Sequence, residues 1–227
     1  MKKPHVRLYP IDIARLPWER PPGAREGISQ KYLAHDQESG SHTRLLRVDP
    51  RADTGIFVHD FCEEVYLLEG SYRAGEEFHP TGTYTCKPPD IKHGPFLTED
   101  GYLGLEFRDY HGPRMNKPLV RLYPIDIARL PWERPAGAPE GVWQKMLALD
   151  PDGGSHTRLV RVEPGVDTRD VLVHDFWEEI YILQGSCKAG DEFHPAGTYT
   201  CRPPGVRHGP CLTDEGYLCI EVRNYET

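Results

Sequence analysis

The sequence predicts an all-β chain built as two tandem jelly-roll barrels. Three observations lead to that class. A long segment returns unchanged in the second half of the chain. Proline and glycine, 22 of each, cut the chain into short pieces. Several of those pieces are strand-like by side-chain type and end at turn signals, which is the pattern of a sandwich or barrel.

The repeat sets the organisation. Val6 through Pro21 recurs as Val120 through Pro135 without a change, and Ser41-His42-Thr43-Arg44-Leu45 recurs as Ser155-His156-Thr157-Arg158-Leu159. One residue is inserted in the second copy between Thr168 and His174, after which the match resumes with His59-Asp60-Phe61 and His174-Asp175-Phe176. Two modules follow, 1–113 and 114–227, joined by a polar linker around His111 to Pro118. Each is too long for a solenoid unit and about right for a small domain.

Along one module, Arg7 to Pro21 carries prolines and reads as an extended arm able to lie over the other module, with Trp18 and Trp132 packing arm on barrel. Thr43 to Val48 reads as a strand ended by Asp49-Pro50, and Glu64 to Leu68 as one ended by Glu69-Gly70. Gly82 to Cys86 is a third, before Lys87-Pro88-Pro89, and Tyr102 to Phe107 a fourth. Little in either copy reads as helix.

Net charge is -8 and the calculated pI about 5.8. That balance argues against nucleic acid, whose phosphates need a basic patch. No apolar run is long enough to span a bilayer, and the first residues lead into no signal-peptide core, so the expectation is a cytoplasmic protein without a membrane partner. The six cysteines show no CxxC spacing, and only Cys86 and Cys201 correspond between copies. They read as free thiols in a reducing compartment.

Of eleven histidines, His5, His35 and His111 have no counterpart. The others pair: His42 with His156, His59 with His174, His79 with His194, His93 with His208. His59-x-x-x-Glu63 precedes a strand, and His93 follows a Pro-Pro turn; His174-x-x-x-Glu178 and His208 repeat the pattern. Strand residues four apart share a face, so His59 and Glu63 can both face a barrel interior. Two imidazoles and a carboxylate there can bind one divalent transition metal per module: iron(II) as in the facial triad, or zinc, nickel or manganese. The plainer alternative is a satisfied polar core. His42 and His156 read as exposed strand positions. Tyr66, Tyr181, Arg44, Arg47, Arg158 and Arg161 read either as pocket lining or as a solvated face. Glu64 and Glu179 are either partners of a ligand histidine or surface residues.

At these residues the chain resembles the cupin superfamily. Glu63-(x6)-Gly70 fits the end of its first motif, and Pro203-x-Gly205-x-x-His208 fits the core of its second, with Asp90 in place of the glycine in the first copy. The Glu63-Glu64 and Glu178-Glu179 pairs, the Pro-Pro turns and the His-Gly-Pro that follows resemble a narrower group. That group holds the ChrR-type cupins and the acetylacetone and dihydroxyacetophenone dioxygenases. The first motif histidine is missing from both copies, where Phe57 and Leu172 stand. The resemblance implies tandem cupin barrels, a homo-oligomer, and metal held by His59, Glu63, His93, His174, Glu178 and His208. His79 and His194 stand where cupins place an apolar inward residue, as a fourth ligand, as a proton-transfer group, or as core histidines bonded to backbone.

Three functions are compatible with this pattern. One is a non-heme iron oxygenase acting on a small carbonyl-bearing or enolisable substrate. Another is a redox-inert metal isomerase or lyase in which His79, His194, Tyr66 or Tyr181 moves a proton. The third is a non-catalytic sensor. The chain has little left over for a partner-binding segment, which ranks the enzymes first.

Overall fold

Each repeat runs through the same series of elements. The computed structural model describes residues 2–110, 116–168 and 170–225; residues 111–115 of the expected linker, His111 included, lie outside them. The first repeat forms β1 (Val6–Leu8), α1 (Pro10–Arg15), β2 (Ile28–His35), β3 (His42–Val48), β4 (Cys62–Ala74), β5 (Glu77–Pro80), β6 (Tyr84–Lys87), β7 (Phe96–Leu97) and β8 (Tyr102–Asp109). The second forms β9 (Val120–Leu122), α2 (Pro124–Arg129), β10 (Val142–Leu149), β11 (His156–Val162), β12 (Trp177–Ala189), β13 (Glu192–Pro195), β14 (Tyr199–Arg202), β15 (Cys211–Leu212) and β16 (Tyr217–Asn224). The chain is all-β with two tandem barrels, as its repeat predicts.

The compact units interleave along the sequence. One is Leu16–Arg129; the other joins Lys2–Arg15 to Leu130–Thr227. In the first, the strand order is β2-β3-β8-β4-β6-β9, with β5 and β7 on the far half of β4. In the second it is β10-β11-β16-β12-β14-β1, with β13 and β15 on β12. All pairings are antiparallel. Each unit therefore takes its last strand from the arm of the other repeat.

The arm differs from the extended segment expected. Proline sets the helical φ at the first position of α1, and Asp12 accepts a hydrogen bond from the Tyr9 backbone N–H at 3.0 Å, capping the turn. Asp126 does the same for Tyr123 ahead of α2. Trp18 lies under Lys31 and Arg47, and Trp132 under Lys145 and Arg161.

The long strands β4 and β12 continue past the glycine where the sequence pattern predicts an end. β4 skips a residue in its pairing with β8 between Leu67 and Glu69, and Gly70 sits at φ 74°. A Cβ at Gly70 would meet the Gly101 carbonyl oxygen at 2.1 Å, so only glycine lets the backbones approach there. The bulge turns the strand, and its far half pairs with β5 and β7. Inside the bend lie Ile28, Val48, Leu67, Tyr72 and Tyr102 in one unit. Val142, Val160, Val162, Ile182, Cys187 and Cys219 fill the other.

Candidate metal centres

The two predicted triads assemble, one in each unit. The ligand atoms of His59, Glu63 and His93 lie within 4.8 Å of one another, as do those of His174, Glu178 and His208. Glu63 is the second residue of β4 and points inward with Val65. His59 is not on that strand but in the loop before it. His93 forms an isolated bridge with Phe57 rather than opening a strand. The Asp90 backbone N–H donates to the His59 carbonyl at 2.8 Å, tying the two loops together. Asp90 adopts φ 66°, the left-handed conformation that Gly205 takes at φ 80° in the second copy. Aspartate is among the few residues that tolerate it, which explains the departure from the motif.

The histidine rings are held in one orientation. Each Nδ1 lies against a backbone carbonyl: His59 against Phe61, His93 against Ile91 and His174 against Phe176 at 2.8 Å, His208 against Val206 at 3.1 Å. The Nδ1–H donates there, leaving the lone pair on Nε2. The buried Nε2 atoms of His59, His93 and His174 have no hydrogen-bond partner. They stand 3.8 and 3.5 Å from the Glu63 oxygens in one unit, and that of His174 stands 3.6 Å from Glu178 in the other. Burial lowers the pKa of His59, His93 and His208, keeping these rings neutral. Burial would raise both carboxyls, yet Lys87 and Arg108 drive Glu63 down, and the neighbouring His174 imidazole together with Arg202 drives Glu178 down to about 2. Neutral imidazoles with orphaned Nε2 atoms around an ionised carboxylate fit a divalent metal.

A charged network backs each carboxylate, and of its members the sequence pattern singled out only Arg44 and Arg158. Lys87 reaches Glu63 at 3.0 Å and Arg108 reaches it at 3.4 Å. Arg44 and Arg108 both pair with buried Glu106. In the second unit Arg202 stands 2.8 Å from Glu178, and Arg158 and Arg223 pair with Glu221. The available signal was the recurrence of charged residues inside otherwise apolar strands in both copies. In the first unit these groups line a cavity of about 460 Å³ that includes His59, Glu63 and His93.

Other sequence candidates fall elsewhere. Tyr66 follows Glu63 by three residues and so lies on the other face of β4, beside Tyr84; Tyr181 pairs with Tyr199 in the same way. That face holds Glu64 and Glu179, which are neither surface residues nor partners of ligand histidines. Glu64 binds Lys117 at 2.6 Å and also Tyr84; Glu179 binds Lys3 at 2.7 Å and Tyr199 at 2.5 Å. His79 and His194 are buried outside the triads. The His79 ring stacks on Tyr72 at 4.5 Å, neither ring nitrogen makes a hydrogen bond, and Nε2 stops 3.7 Å from Glu77. His42 is buried, not exposed as expected, with Nδ1 2.8 Å from the Gly40 carbonyl. Arg44 lines the cavity, whereas Arg47 is exposed over Trp18.

The model of the ChrR cupin-like domain matches residues 8–107 and again 122–225. The chain belongs to that family. No curated protein matches it in sequence. Among solved structures, a candidate dioxygenase from Nostoc punctiforme shares 18% identity over 97% of this chain and 82% of its own, with a TM-score of 0.80. Oxalate decarboxylase from Lactobacillus farciminis shares 14% over 97% and 86%, at 0.65. AerE from Microcystis aeruginosa shares 14% over 93% and 99%, at 0.63. At such identities the likeness is one of fold. In this ChrR cupin-like chain the position of the missing first motif histidine is taken by Phe57, whose ring centroid is 5.9 Å from that of His93.

Proposed function

We propose that the chain is a metal-dependent oxygenase with one iron(II)-type centre per unit, acting on a small carbonyl-bearing or enolisable substrate. The observation that carries this reading is the pair of orphaned Nε2 atoms of His59 and His93 facing ionised Glu63, with His174, Glu178 and His208 brought together in the same way in the second unit. Three protein donors leave coordination positions open, as a reacting centre requires and a closed structural site does not. A bound iron(II) would supply Lewis acidity and electrons for oxygen chemistry.

The protein's own contribution is positional. The backbone carbonyls of Phe61 and Ile91 hold the tautomers of His59 and His93. Lys87 and Arg108 hold Glu63 ionised. The Tyr72, Phe96 and Phe57 rings form an apolar wall that limits water around a bound substrate. All six cysteines are free, which favours a reducing compartment and supports a cytoplasmic setting.

The test is metal analysis of protein purified without chelator, with oxygen uptake measured on addition of β-dicarbonyl compounds. Iron at two per chain with oxygen consumption is expected. Exchange-resistant zinc without oxygen uptake would replace the oxygenase by the isomerase or lyase reading. Absence of metal from both units would end both.

A further inference from the structure

We infer that the substrate of these centres is an anion, a small carboxylate bearing an adjacent carbonyl, rather than a neutral dicarbonyl. The inference rests on the metal-centre reading above and follows from the charges enclosed with each triad. In the first unit Arg44, Lys87 and Arg108 meet two carboxylates, Glu63 and Glu106, in one connected network. The Arg25–Asp53 pair at the cavity cancels itself. One positive charge is left over, and a divalent ion would bring the excess to three.

The second unit repeats this imbalance with different residues. Arg158, Arg202 and Arg223 stand against Glu178 and Glu221. Lysine in one copy answers arginine in the other, so the cationic charge is retained while the side chain changes. Uncompensated buried charge is costly in a low-dielectric site. A ligand that brings negative charge removes that cost directly, whereas a neutral diketone does so only by giving up a proton as it binds.

Lys87 is the group placed to receive the anion. Two of its three donors are engaged, by Glu63 at 3.0 Å and Thr85 at 3.2 Å. Its Nζ lies 5.4 Å from the centroid of the Phe96 ring, another cavity residue. The third donor is left for a carboxylate oxygen, while an adjacent carbonyl can turn toward the triad. A cavity of about 460 Å³ suits a substrate of a few carbons to a drug-sized molecule.

Acetoacetate and acetylacetone form a matched pair, differing by a carboxylate in place of an acetyl group. Calorimetric titration of both, near pH 7 and at fixed ionic strength, tests the inference on protein of measured metal content and on chelator-treated protein. Acetoacetate is expected to bind the metal-loaded protein about tenfold more tightly or better, equivalent to about 1.4 kcal/mol. The preference should be weaker but present without metal, because the protein's own excess charge remains. Lys87→Met with Arg202→Met should abolish it in chelator-treated protein, where metal content does not enter the comparison, and Lys87→Arg should retain it. Equal or tighter binding of acetylacetone by the unmodified protein overturns the inference, whether or not the Met variants fold. So does a preference that survives in folded Met variants. Protein that never takes up metal yet prefers acetoacetate would overturn the oxygenase reading and leave the anion site standing.

Discussion

An imidazole can ligate a metal only through a nitrogen whose lone pair is free, and the hydrogen bond on the far side of the ring decides which nitrogen that is. Here backbone carbonyls make that choice for all four triad histidines, so the donors exist before any ion arrives. His59→Ala with His174→Ala is expected to lower the metal content of the purified protein from two per chain to below a tenth of that, read by elemental mass spectrometry, because the loss of even an orienting partner costs about 10–100-fold in affinity. The triads were legible in the sequence because their spacing is local and doubled. Lys87, Arg108 and Glu106 were not, since nothing along the chain says that β6 and β8 flank β4 and bring them beside Glu63. His79 and His194 have another consequence. Burial, with Arg121 near the first and Arg7 near the second, lowers each to about 4. An unfolded histidine protonates near pH 6.5, so between about 6.5 and 4 the unfolded state binds protons that the folded state refuses. The part of the stability of chelator-treated protein that depends on these histidines should fall as pH drops through that window and level off below it. Urea midpoints should show the loss, and His79→Gln with His194→Gln should reduce the slope. Glu63 and Glu178 act at lower pH: their contribution is present above the unfolded carboxylate value near 4.3 and is lost as pH falls through their lowered folded values, about 2 for Glu178.

At the scale of elements, β4 and β12 carry two chemistries on opposite faces. Glu63 faces His59 and His93, and Glu64, one residue on, faces the arm. Its carboxylate is held by Lys117, whose side chain is fully buried, and by Tyr84. Removing one partner of such a pair strands a buried charge. Lys117→Met is expected to destabilise its unit by about 3–5 kcal/mol in chemical denaturation, with much of that recovered when Glu64→Gln is added. Lys3→Met should act in the same way through Glu179. The Glu-Glu pair was visible in the sequence as a family resemblance, but its division of labour was not. Period-2 alternation does separate the two side chains, yet it does not say what covers the outer face. The strands ran past Gly70 and Gly185 for a related reason. A glycine at a bulge and a glycine at a turn look alike until the opposing Gly101 and Gly216 carbonyls are seen beside them.

At the scale of the molecule, the repeat made the all-β class and the doubling legible, while the interleaving of the compact units came from pairings that join residues nearly 200 positions apart. The two centres share donors and charge but not walls: Tyr72 and Phe96 of the first unit correspond to Cys187 and Cys211 in the second. The arm that completes each sheet has wider meaning. Residues 6–21 and 120–135 are identical, so either arm carries the side chains that either barrel needs. A fragment of residues 1–113 holds a barrel together with an arm that, in the full chain, serves the other unit. It is expected to self-associate in light scattering, whereas a fragment of residues 16–129, with its strand already supplied, is expected to remain a monomer. The full chain then reads as an ancestral pair of single-barrel subunits that lent each other a strand and were later joined end to end. Carrying both repeats in one chain makes the strand exchange intramolecular, so each sheet is completed whatever the protein concentration.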